Sequence, residues 1–461
     1  MGSFIILYNF IVLSILLYIA IEKSIISVFS PAAISAFGLI VMYVLRPIYI
    51  LQTGLWGGAP MLLKSLSGQI GLFNEAMLVS AFFVSAFSFP LIIFLLNHKG
   101  VKQNISASKK FIRATEKINK SLFFISFLIL AIPFLRGYTI DGYLALLSTR
   151  SIMFKTFFGG FGSFVEVFFF LYTSTAVIKI INDMVENKSI IVSTVLVVLV
   201  LMLLGGRSNI LFFLISIGGA KVYLSKKFNK SYLIYFGFAV FLFGISYRVL
   251  TRDLYFQNNK GKDASEVLLE TLSRPHEFLV GGFDFVQIDA LMTVVSDSRL
   301  QKNYLFGSTI LACITSPIPR VVWPEKPKGA MTYFTKLYYP GHFEHTEGGE
   351  LVASWLVEAI LNFGSFGILF GGLTMFYFVY LIEKGLGKCG STLDLAILCI
   401  VTPRPFNILK SDLFNNFMAI VKVLFIPFVL KMMFKSKRTA SHRPHASVTW
   451  QHSSNKTNIS I

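Results

Sequence analysis

Residues 77–96 read MLVSAFFVSAFSFPLIIFLL, and residues 97–120 read NHKGVKQNISASKKFIRATEKINK. The first stretch is 20 residues without a charge, which is the length that an α-helix needs to cross the hydrocarbon core of a bilayer. The second stretch holds seven Lys/Arg against one acid, and basic segments beside membrane spans remain in the cytoplasm. The two stretches therefore indicate a membrane-spanning helix followed by a cytoplasmic basic loop, which is the pattern of a helical membrane protein.

Apolar runs of similar length recur along all 461 residues, of which 54% are hydrophobic and only 14% charged. Soluble domains carry about 25% charged residues, so a water-soluble globular enzyme is excluded. The sequence predicts an all-α polytopic membrane protein with about 11 transmembrane helices, within a range of about 10–12. The predicted spans are residues 4–21, 27–50, 77–96, 121–136, 157–181, 189–205, 208–224, 231–250, 360–382, 392–409 and 413–434.

The spans divide the chain into four parts. Residues 1–250 are predicted to hold helices 1–8 and residues 360–434 helices 9–11. Between them, residues 251–359 form one large outer loop, far longer than ordinary connections. Functional residues concentrate on such loops. The tail, residues 435–461, is rich in Ser, His, Lys and Asn and is predicted to be a disordered cytoplasmic segment.

The net charge of +19 has a topological explanation. Residues 97–120, 221–230 and 431–461 together contribute +16 of it, and each segment borders an apolar run. The positive-inside rule places all three in the cytoplasm, which leaves the large loop on the outer side. No nucleic-acid partner is predicted, although a basic chain is the usual sign of one.

The triplet Gly205-Gly206-Arg207 interrupts 32 otherwise apolar residues, 189–220. An arginine at the centre of a bilayer costs about 2.5–3.5 kcal/mol, so a hairpin that brings Arg207 to the outer surface is favoured. The two glycines permit a turn and the close approach of a ligand to the backbone. The functional interpretation is an anion site. The alternative is an arginine that reaches the lipid headgroups.

Further cations fall on or near the outer face in this topology. Arg404 lies between Pro403 and Pro405 inside an apolar run, which predicts a kinked helix and a partner for the charge. A single outer arginine is usually solvated or ion-paired, but several that converge at headgroup depth favour a lipid diphosphate. The cations in question are Arg207, Arg248, Arg252, Arg274, Arg320, Arg404 and Lys410.

The acids and histidines that precede the span at 360 are a weaker signal. Glu347 and Glu350 are candidates for a general base, and a plain hydrated loop is the competing interpretation. A metal site made of His342, His345 and Glu347 is disfavoured, because this spacing matches no common metal motif. No metal and no nucleotide or other cofactor is predicted.

Taken together, these stretches resemble the Wzy-type O-antigen or capsular polysaccharide repeat-unit polymerases of bacterial envelopes. The most specific match is Pro-Arg-x-x-Trp-Pro-x-Lys-Pro at residues 319–327, inside the large loop. The other matches are Gly-Gly-Arg at 205–207, the stretch from Glu350 through Glu358 to Gly364, and the turn Lys410-Ser411-Asp412-Leu413. The resemblance covers most of the chain in layout and these short stretches in sequence.

The resemblance implies a GT-C-like glycosyltransferase of the bacterial inner membrane with its active site on the periplasmic face. Its donor and acceptor would be oligosaccharide repeat units linked to undecaprenyl diphosphate. Transfer would invert the anomeric centre without a metal, arginines would neutralise the leaving diphosphate, and a chain-length regulator would be a partner. The implied catalytic residues are Arg207, Arg320, Glu347 and Glu350. The implied substrate-binding residues are Arg248, Arg252, Arg274, Arg404, Lys410, Gly205, Gly206, Trp323 and Lys326.

Three other functions remain open from the sequence. An O-antigen ligase uses the same lipid carrier, and ligases place a histidine near the position of His345. A transporter or lipid-linked oligosaccharide flippase would explain the spans and the buried cations. It would not explain the large loop, however, and the internal repeats common in transporters are not apparent. A non-catalytic envelope assembly protein is the third.

Overall fold

The computed structural model describes most of the chain. The described residues are 1–53, 69–98, 105, 109–139, 142–143, 157, 162–203, 207–225, 263–273, 286–297, 304–316, 318, 322–345 and 350–434. Within these ranges the chain is helical and contains no strand.

Eight helices in the described ranges are long and apolar enough to cross a membrane. They confirm the predicted fold class, an all-α polytopic membrane protein. Two shorter apolar helices occupy the predicted spans 189–205 and 208–224, and the predicted span 231–250 lies outside the described residues. The eight long spans are Gly2–Lys23, Pro31–Gln52, Ile70–Asn97, Lys109–Leu135, Val165–Val185, Phe366–Leu386, Thr392–Lys410 and Leu413–Met433.

The transmembrane helices are numbered together with those of the outer loop. Before the loop they are α1 (Gly2–Lys23), α2 (Pro31–Ile40), α3 (Arg46–Thr53), α4 (Ile70–Asn97), α5 (Lys109–Leu135), α6 (Gly162–Val185), α7 (Ile191–Leu203) and α8 (Arg207–Leu224). The loop contains α9 (Ala264–Ser273), α10 (Gln287–Val295), α11 (Ser308–Thr315), α12 (Ala330–Tyr338), α13 (Pro340–His345) and α14 (Trp355–Phe363). The last four are α15 (Phe366–Leu386), α16 (Thr392–Val401), α17 (Arg404–Lys410) and α18 (Leu413–Met433).

The second span is bent, and the bend positions a buried arginine. Its first half starts at Pro31, where the hydroxyl of Ser30 accepts a hydrogen bond from the Ala33 amide (3.0 Å). A π-helical turn, Val41–Leu45, separates α2 from α3. Pro47 lies two residues after this turn and cannot donate a helical hydrogen bond, which accounts for the widened turn before it. Arg46 therefore sits at the point where the helix is interrupted.

The spans pack into two apolar cores. Helices α1 to α4 share the first core with α15 and with loop helices α10, α12 and α14. Helices α5 to α8 share the second with α16, α18 and the end of α15. Gly372 allows α15 to approach α4 closely, because a Cβ there would lie 2.9 Å from the Phe83 carbonyl oxygen and 2.6 Å from the Ala86 Cβ. Small residues at crossings are the usual means of tight packing between membrane helices.

The outer loop is folded against the ends of the spans. Helix α10 packs on α4 and α14, and α11 packs on α18 and α14. Helical periodicity predicts helices within 266–274 and 278–300, and α9 and α10 lie in these positions. The Pro-rich stretch ahead of α12 forms turns over its described residues, as its prolines require. The loop thus brings polar side chains from distant parts of the sequence to the end of α17 and the start of α18.

Candidate active site

Two buried carboxylates meet where the loop contacts the last span. Glu358 lies on α14 and is fully buried. One of its oxygens accepts a hydrogen bond from the Thr309 hydroxyl of α11 (2.6 Å), and the other accepts from the Leu413 amide at the start of α18 (2.7 Å). A single carboxylate therefore joins two loop helices to a membrane span.

Asp412 is the second buried carboxylate, and it caps α18. Its oxygens accept hydrogen bonds from the amides of Asn415 (3.2 Å) and Met331 (3.3 Å). The side-chain amide of Asn415 in turn donates to Glu350 (3.3 Å), and the Thr332 hydroxyl donates to the other oxygen of Glu350. Glu350 is exposed. It lies near Asp412, and Thr332 and Asn415 hold it by hydrogen bonds.

The burial of these acids alters their protonation. Burial, assisted by the negative charge of Asp412, raises the pKa of Glu358 to about 7, although the hydrogen bonds from Thr309 and Leu413 oppose the rise. Burial also raises the pKa of Asp412 to about 6, and the charge of Glu350 adds to the rise. Buried carboxyl groups near one another ionise less readily. The cluster can therefore hold a proton close to neutral pH, which a site for proton transfer requires.

Glu350 is not part of a helix that runs back from the membrane. A continuous helix would place Glu347 and Glu350 on one face, but α14 begins at Trp355, and residues 350–354 are extended or irregular. The hydroxyl of Ser354 caps the helix by accepting a hydrogen bond from the Val357 amide (3.3 Å), because Ser is a strong N-cap. Helix α14 therefore does not extend back through Glu350, and Glu347 lies outside the described residues.

Arg404 is a buried cation inside the membrane-spanning region. It begins α17 after the kink at Pro403, as its flanking prolines predict. Its guanidinium lies 5.2 Å from the centre of the Phe212 ring on α8, and its Nε atom is buried without a hydrogen-bond partner. Among the described residues, no acid forms an ion pair with it. The sequence predicts a partner for the charge of Arg404, and in the described structure that partner is the Phe212 ring. An aromatic ring does not neutralise the positive charge.

A small cavity with mostly apolar and some polar lining adjoins Arg404. Its volume is about 20 Å³, which is room for about one water molecule. Asn209 lines it two residues after Arg207, the residue at which α8 begins. Arg207 is therefore within one helical turn of the cavity along α8. The lining residues are Phe170, Thr173, Ser174, Val177, Asn209, Phe212, Phe213, Ser216, Ile400, Arg404 and Val423.

The other intramembrane cation near this cavity is neutralised. Lys422 on α18 donates to a carboxylate oxygen of Glu166 on α6 (2.9 Å), and Val423 beside it lines the cavity. An acid on the neighbouring helix is what an intramembrane lysine requires. Lys422 therefore differs from Arg404, for which the described residues provide no anion.

A second buried arginine, Arg46, carries an ion pair with the outer loop. Its guanidinium lies 3.0 Å from a carboxylate oxygen of Asp289 on α10, and both side chains are fully buried. Burial raises the pKa of Asp289, and the positive charge of Arg46 opposes that rise. The two residues are 243 positions apart, so no sequence motif reports the contact. The pair ties α10 to the bend between α2 and α3.

Three further candidates from the sequence have local roles in the described structure. The ammonium group of Lys326 is buried and donates to the carbonyl oxygens of Ser316 (3.1 Å) and Ile318 (2.8 Å), so it closes the Pro-rich turn. Trp323 in the same turn is exposed. Lys410 ends α17, and its carbonyl oxygen accepts a hydrogen bond from the Gln287 side chain (3.1 Å).

The remaining candidates cannot be placed at the level of side chains. Arg207 is described by its backbone alone, at the start of α8. The residues of the disfavoured metal site, His342, His345 and Glu347, cannot be compared in space, since Glu347 and the side chain of His345 are outside the described residues. Also outside the described residues are Gly205, Gly206, Arg248, Arg252, Arg274 and Arg320.

The sequence reasoning missed Glu358 and Asp412 as site residues, although signals for both exist. Glu358 is a lone acid in the apolar run LVASWLVEAIL, 351–361, and a lone acid in such a run must find polar partners. Asp412 directly precedes the apolar run of α18, which is the position of an N-cap. Both lie in stretches that carry the resemblance, and the hydrogen bond from Leu413 to Glu358 joins those stretches in space.

A family model described as O-antigen polysaccharide polymerase Wzy matches residues 1–438. The match includes all of the described helices and both sides of the carboxylate cluster. No curated protein and no solved structure matches the chain.

Proposed function

The chain belongs to the O-antigen polysaccharide polymerase Wzy family, and on this premise we propose how it joins repeat units. The donor is a growing glycan on undecaprenyl diphosphate, and the acceptor is one lipid-linked repeat unit. The acceptor's terminal hydroxyl attacks the donor's anomeric carbon. A new glycosidic bond forms, the bond to the lipid diphosphate breaks, and the configuration at that carbon inverts.

Arg404 is buried without an ion-pair partner among the described residues, and this observation carries the mechanism. A buried charge without a counterion costs several kcal/mol, so an anion supplied by the substrate would stabilise it. A guanidinium group binds phosphate oxygens two at a time. The position of Arg207 at the start of α8, near Asn209 and the cavity, supports a second arginine for the same diphosphate. Negative charge grows on the leaving diphosphate in the transition state, where fixed cations are most effective.

The carboxylate cluster supports the role of proton acceptor for the attacking hydroxyl. Glu350 is the exposed member and is fixed by Thr332 and Asn415, so it can meet a sugar that arrives from the outer side. Asp412 lies behind it, with a pKa raised to about 6 by burial. The proton of the hydroxyl would pass to Glu350 and could be shared with the buried acids. The arginines would thus stabilise the leaving group, and the carboxylates would accept the proton of the nucleophile.

The proposed location is the bacterial inner membrane, with the site on the periplasmic face. The three strongly basic segments all fall on the opposite, cytoplasmic side in a topology set by the positive-inside rule. Reporter fusions after residues 110, 228 and 440 should therefore give cytoplasmic signals, and a fusion near residue 300 a periplasmic one. A cytoplasmic signal at residue 300 would invert the site and contradict the proposal.

A deletion strain distinguishes the proposed polymerase from the other uses of the same lipid carrier. Without a polymerase, the lipid core on the cell surface carries a single repeat unit, whereas loss of a ligase leaves bare core. Loss of a flippase leaves lipid-linked units facing the cytoplasm. A gel of the surface polysaccharide separates these outcomes. We expect core with one unit, and bare core would contradict the assignment.

Complementation of the deletion strain with variants tests the role of Arg404 in polymerisation. The Arg404→Ala variant should fail to restore the ladder of long chains at matched protein level. The matched control is Arg136→Ala, which removes an exposed arginine beyond the end of α5 and should restore the full ladder. A chain-length regulator, the proposed protein partner, would change the length distribution in the strain complemented with Arg136→Ala without changing whether chains form.

A further inference from the structure

The outer loop exposes a continuous set of large apolar side chains that no part of the described structure covers. Phe306 is 81% exposed and Ile314 69% exposed, and Val322 is 74% exposed. Leu311 lies three residues before Ile314 on the same face of α11 and is also exposed. Water-exposed loops do not normally display large apolar residues in such a group.

The opposite face of the same helix is buried. Thr309, Ala312 and Cys313 face the interior, where α11 packs against α14 and α18. The stretch 304–319 contains no charged residue, which is unusual for a loop outside the membrane. Helix α11 therefore has a protein-facing side and an apolar outer side, without a charged rim between them.

This apolar surface is continuous with helices that face lipid. The Phe306 amide donates to the carbonyl oxygen of Asn362 (3.1 Å), four residues before the exposed Phe366 that begins the span α15. On its other flank α11 packs on α18, another span. The surface thus lies at the level where two membrane helices leave the bilayer.

We propose that α11 and the exposed side chains around it, Phe306, Leu311, Ile314 and Val322, insert into the outer leaflet of the membrane. Helix α11 is then an interfacial helix, and its apolar face lies at the boundary between the lipid headgroups and the acyl chains. Trp323, also exposed, lies in the same turn region and is of the residue type that concentrates at membrane interfaces. The inference does not depend on the proposed reaction. If it holds, the membrane itself fixes the height of Thr309 and, through it, of Glu358.

The test is a depth measurement on the full-length protein in lipid nanodiscs. A nitroxide is attached to Ile314→Cys, and its collision rates with oxygen and with a water-soluble nickel complex are compared. The native cysteines Cys313, Cys389 and Cys399 are buried, and the unsubstituted protein treated with the same reagent measures any background labelling. The matched control is Glu344→Cys on α13, an exposed polar position in the same loop.

The label at position 314 should be accessible to oxygen and shielded from nickel, at a depth of about 5–10 Å below the headgroups. The label at 344 should show the reverse. Equal nickel accessibility at both positions would overturn the proposal. Shielding of position 314 from both reagents would also overturn it, because that result indicates coverage by protein rather than by lipid. If Ile314→Cys fails to fold, Leu311→Cys gives the same measurement on the same face.

Discussion

Arg46 and Arg404 are both buried arginines in membrane-spanning segments, and they differ in what neutralises them. Arg46 is paired with Asp289 at 3.0 Å, within a fully buried contact. Arg404 packs on the Phe212 ring at 5.2 Å and has no acid partner among the described residues. The first arginine anchors the outer loop to the bundle. The second has its charge available for something the protein does not itself supply.

The difference shows how the two roles can be recognised. Removing a charge from water is costly, and a native counterion offsets that cost during folding. An arginine whose counterion is a substrate is neutralised when the substrate binds. The neighbouring Lys422–Glu166 pair shows that this part of the bundle can provide an acid where one is needed. No acid among the described residues pairs with Arg404, and this contrast supports the role proposed for that arginine.

Glu350 gives the largest expected effect on polymerisation. Glu350→Gln keeps the size and one acceptor oxygen for the hydrogen bonds that Thr332 and Asn415 donate, but it replaces the other, basic oxygen by an amide group. Loss of a general base lowers rates by about 10²–10⁴-fold. The ladder of this variant should collapse to single repeat units, while Glu344→Gln remains normal at matched protein level. A full ladder from Glu350→Gln would exclude this residue and leave the arginines alone with the chemistry.

Arg207 and Arg320 are two further arginines proposed to bind the diphosphate, and their side chains lie outside the described structure. Alanine at either position should lower polymerisation by about 10²-fold or more, as loss of one transition-state donor does. Lysine should rescue poorly, because an ammonium group cannot reproduce the two-pronged contact with phosphate. Quantification of chain length in the complemented deletion strain measures both effects. Long chains from both alanine variants at normal expression would contradict an arginine-based mechanism.

The Arg46–Asp289 pair should affect stability much more than catalysis. Asp289→Leu leaves a buried charge unpaired, which typically lowers stability by about 3–5 kcal/mol. The double variant Arg46→Met/Asp289→Leu removes both charges and should recover most of that loss. Thermal unfolding in detergent measures the difference, and polymerisation per folded protein should stay near normal in the double variant. A double variant that folds but makes no chains would place Arg46 in the reaction.

The smallest expected effect is the pH dependence of stability due to Glu358. The folded protein holds this proton more tightly than the unfolded chain, since burial raises the pKa from 4.5 to about 7. Stability should therefore fall as pH rises from about 4.5 to about 7, by about 3 kcal/mol from this group at about 1.4 kcal/mol per pKa unit. Glu358→Gln should flatten the profile of unfolding temperature between pH 5 and 8, and Glu344→Gln should not. An unchanged slope in Glu358→Gln would show that the buried acid is not the titrating group.

Some features of the fold and of the two buried arginines could be predicted from the sequence, and others could not. Hydropathy and the basic segment 97–120 were sufficient for the class of fold, because the bilayer imposes the length of each span. The flanking prolines of Arg404 were sufficient for its kink. The pairing of Arg46 with Asp289 was not predictable, since the partners are 243 residues apart and meet only when α10 docks on the bundle.

The carboxylate site was predicted in part for the same reason. Glu350 was identified from its place before a span, but the helix expected to carry it starts later, at Trp355, because Ser354 caps it. Burial raises the pKa values of Glu358 and Asp412, and a neighbouring carboxylate adds to each rise, Asp412 for Glu358 and Glu350 for Asp412. Those are properties of the packed structure, and a sequence pattern can indicate only that such residues need partners.

We propose that the lipid diphosphate neutralises Arg404, and the affinity of the protein for undecaprenyl diphosphate tests this proposal. The full-length protein in nanodiscs would be titrated with this lipid, with Arg136→Gln as the matched control. A charge-assisted hydrogen bond contributes about 1.5–3 kcal/mol, so Arg404→Gln should weaken binding by about 10–100-fold. The control should bind as tightly as the unsubstituted protein. Equal affinity of the Arg404→Gln variant and the unsubstituted protein would contradict the account.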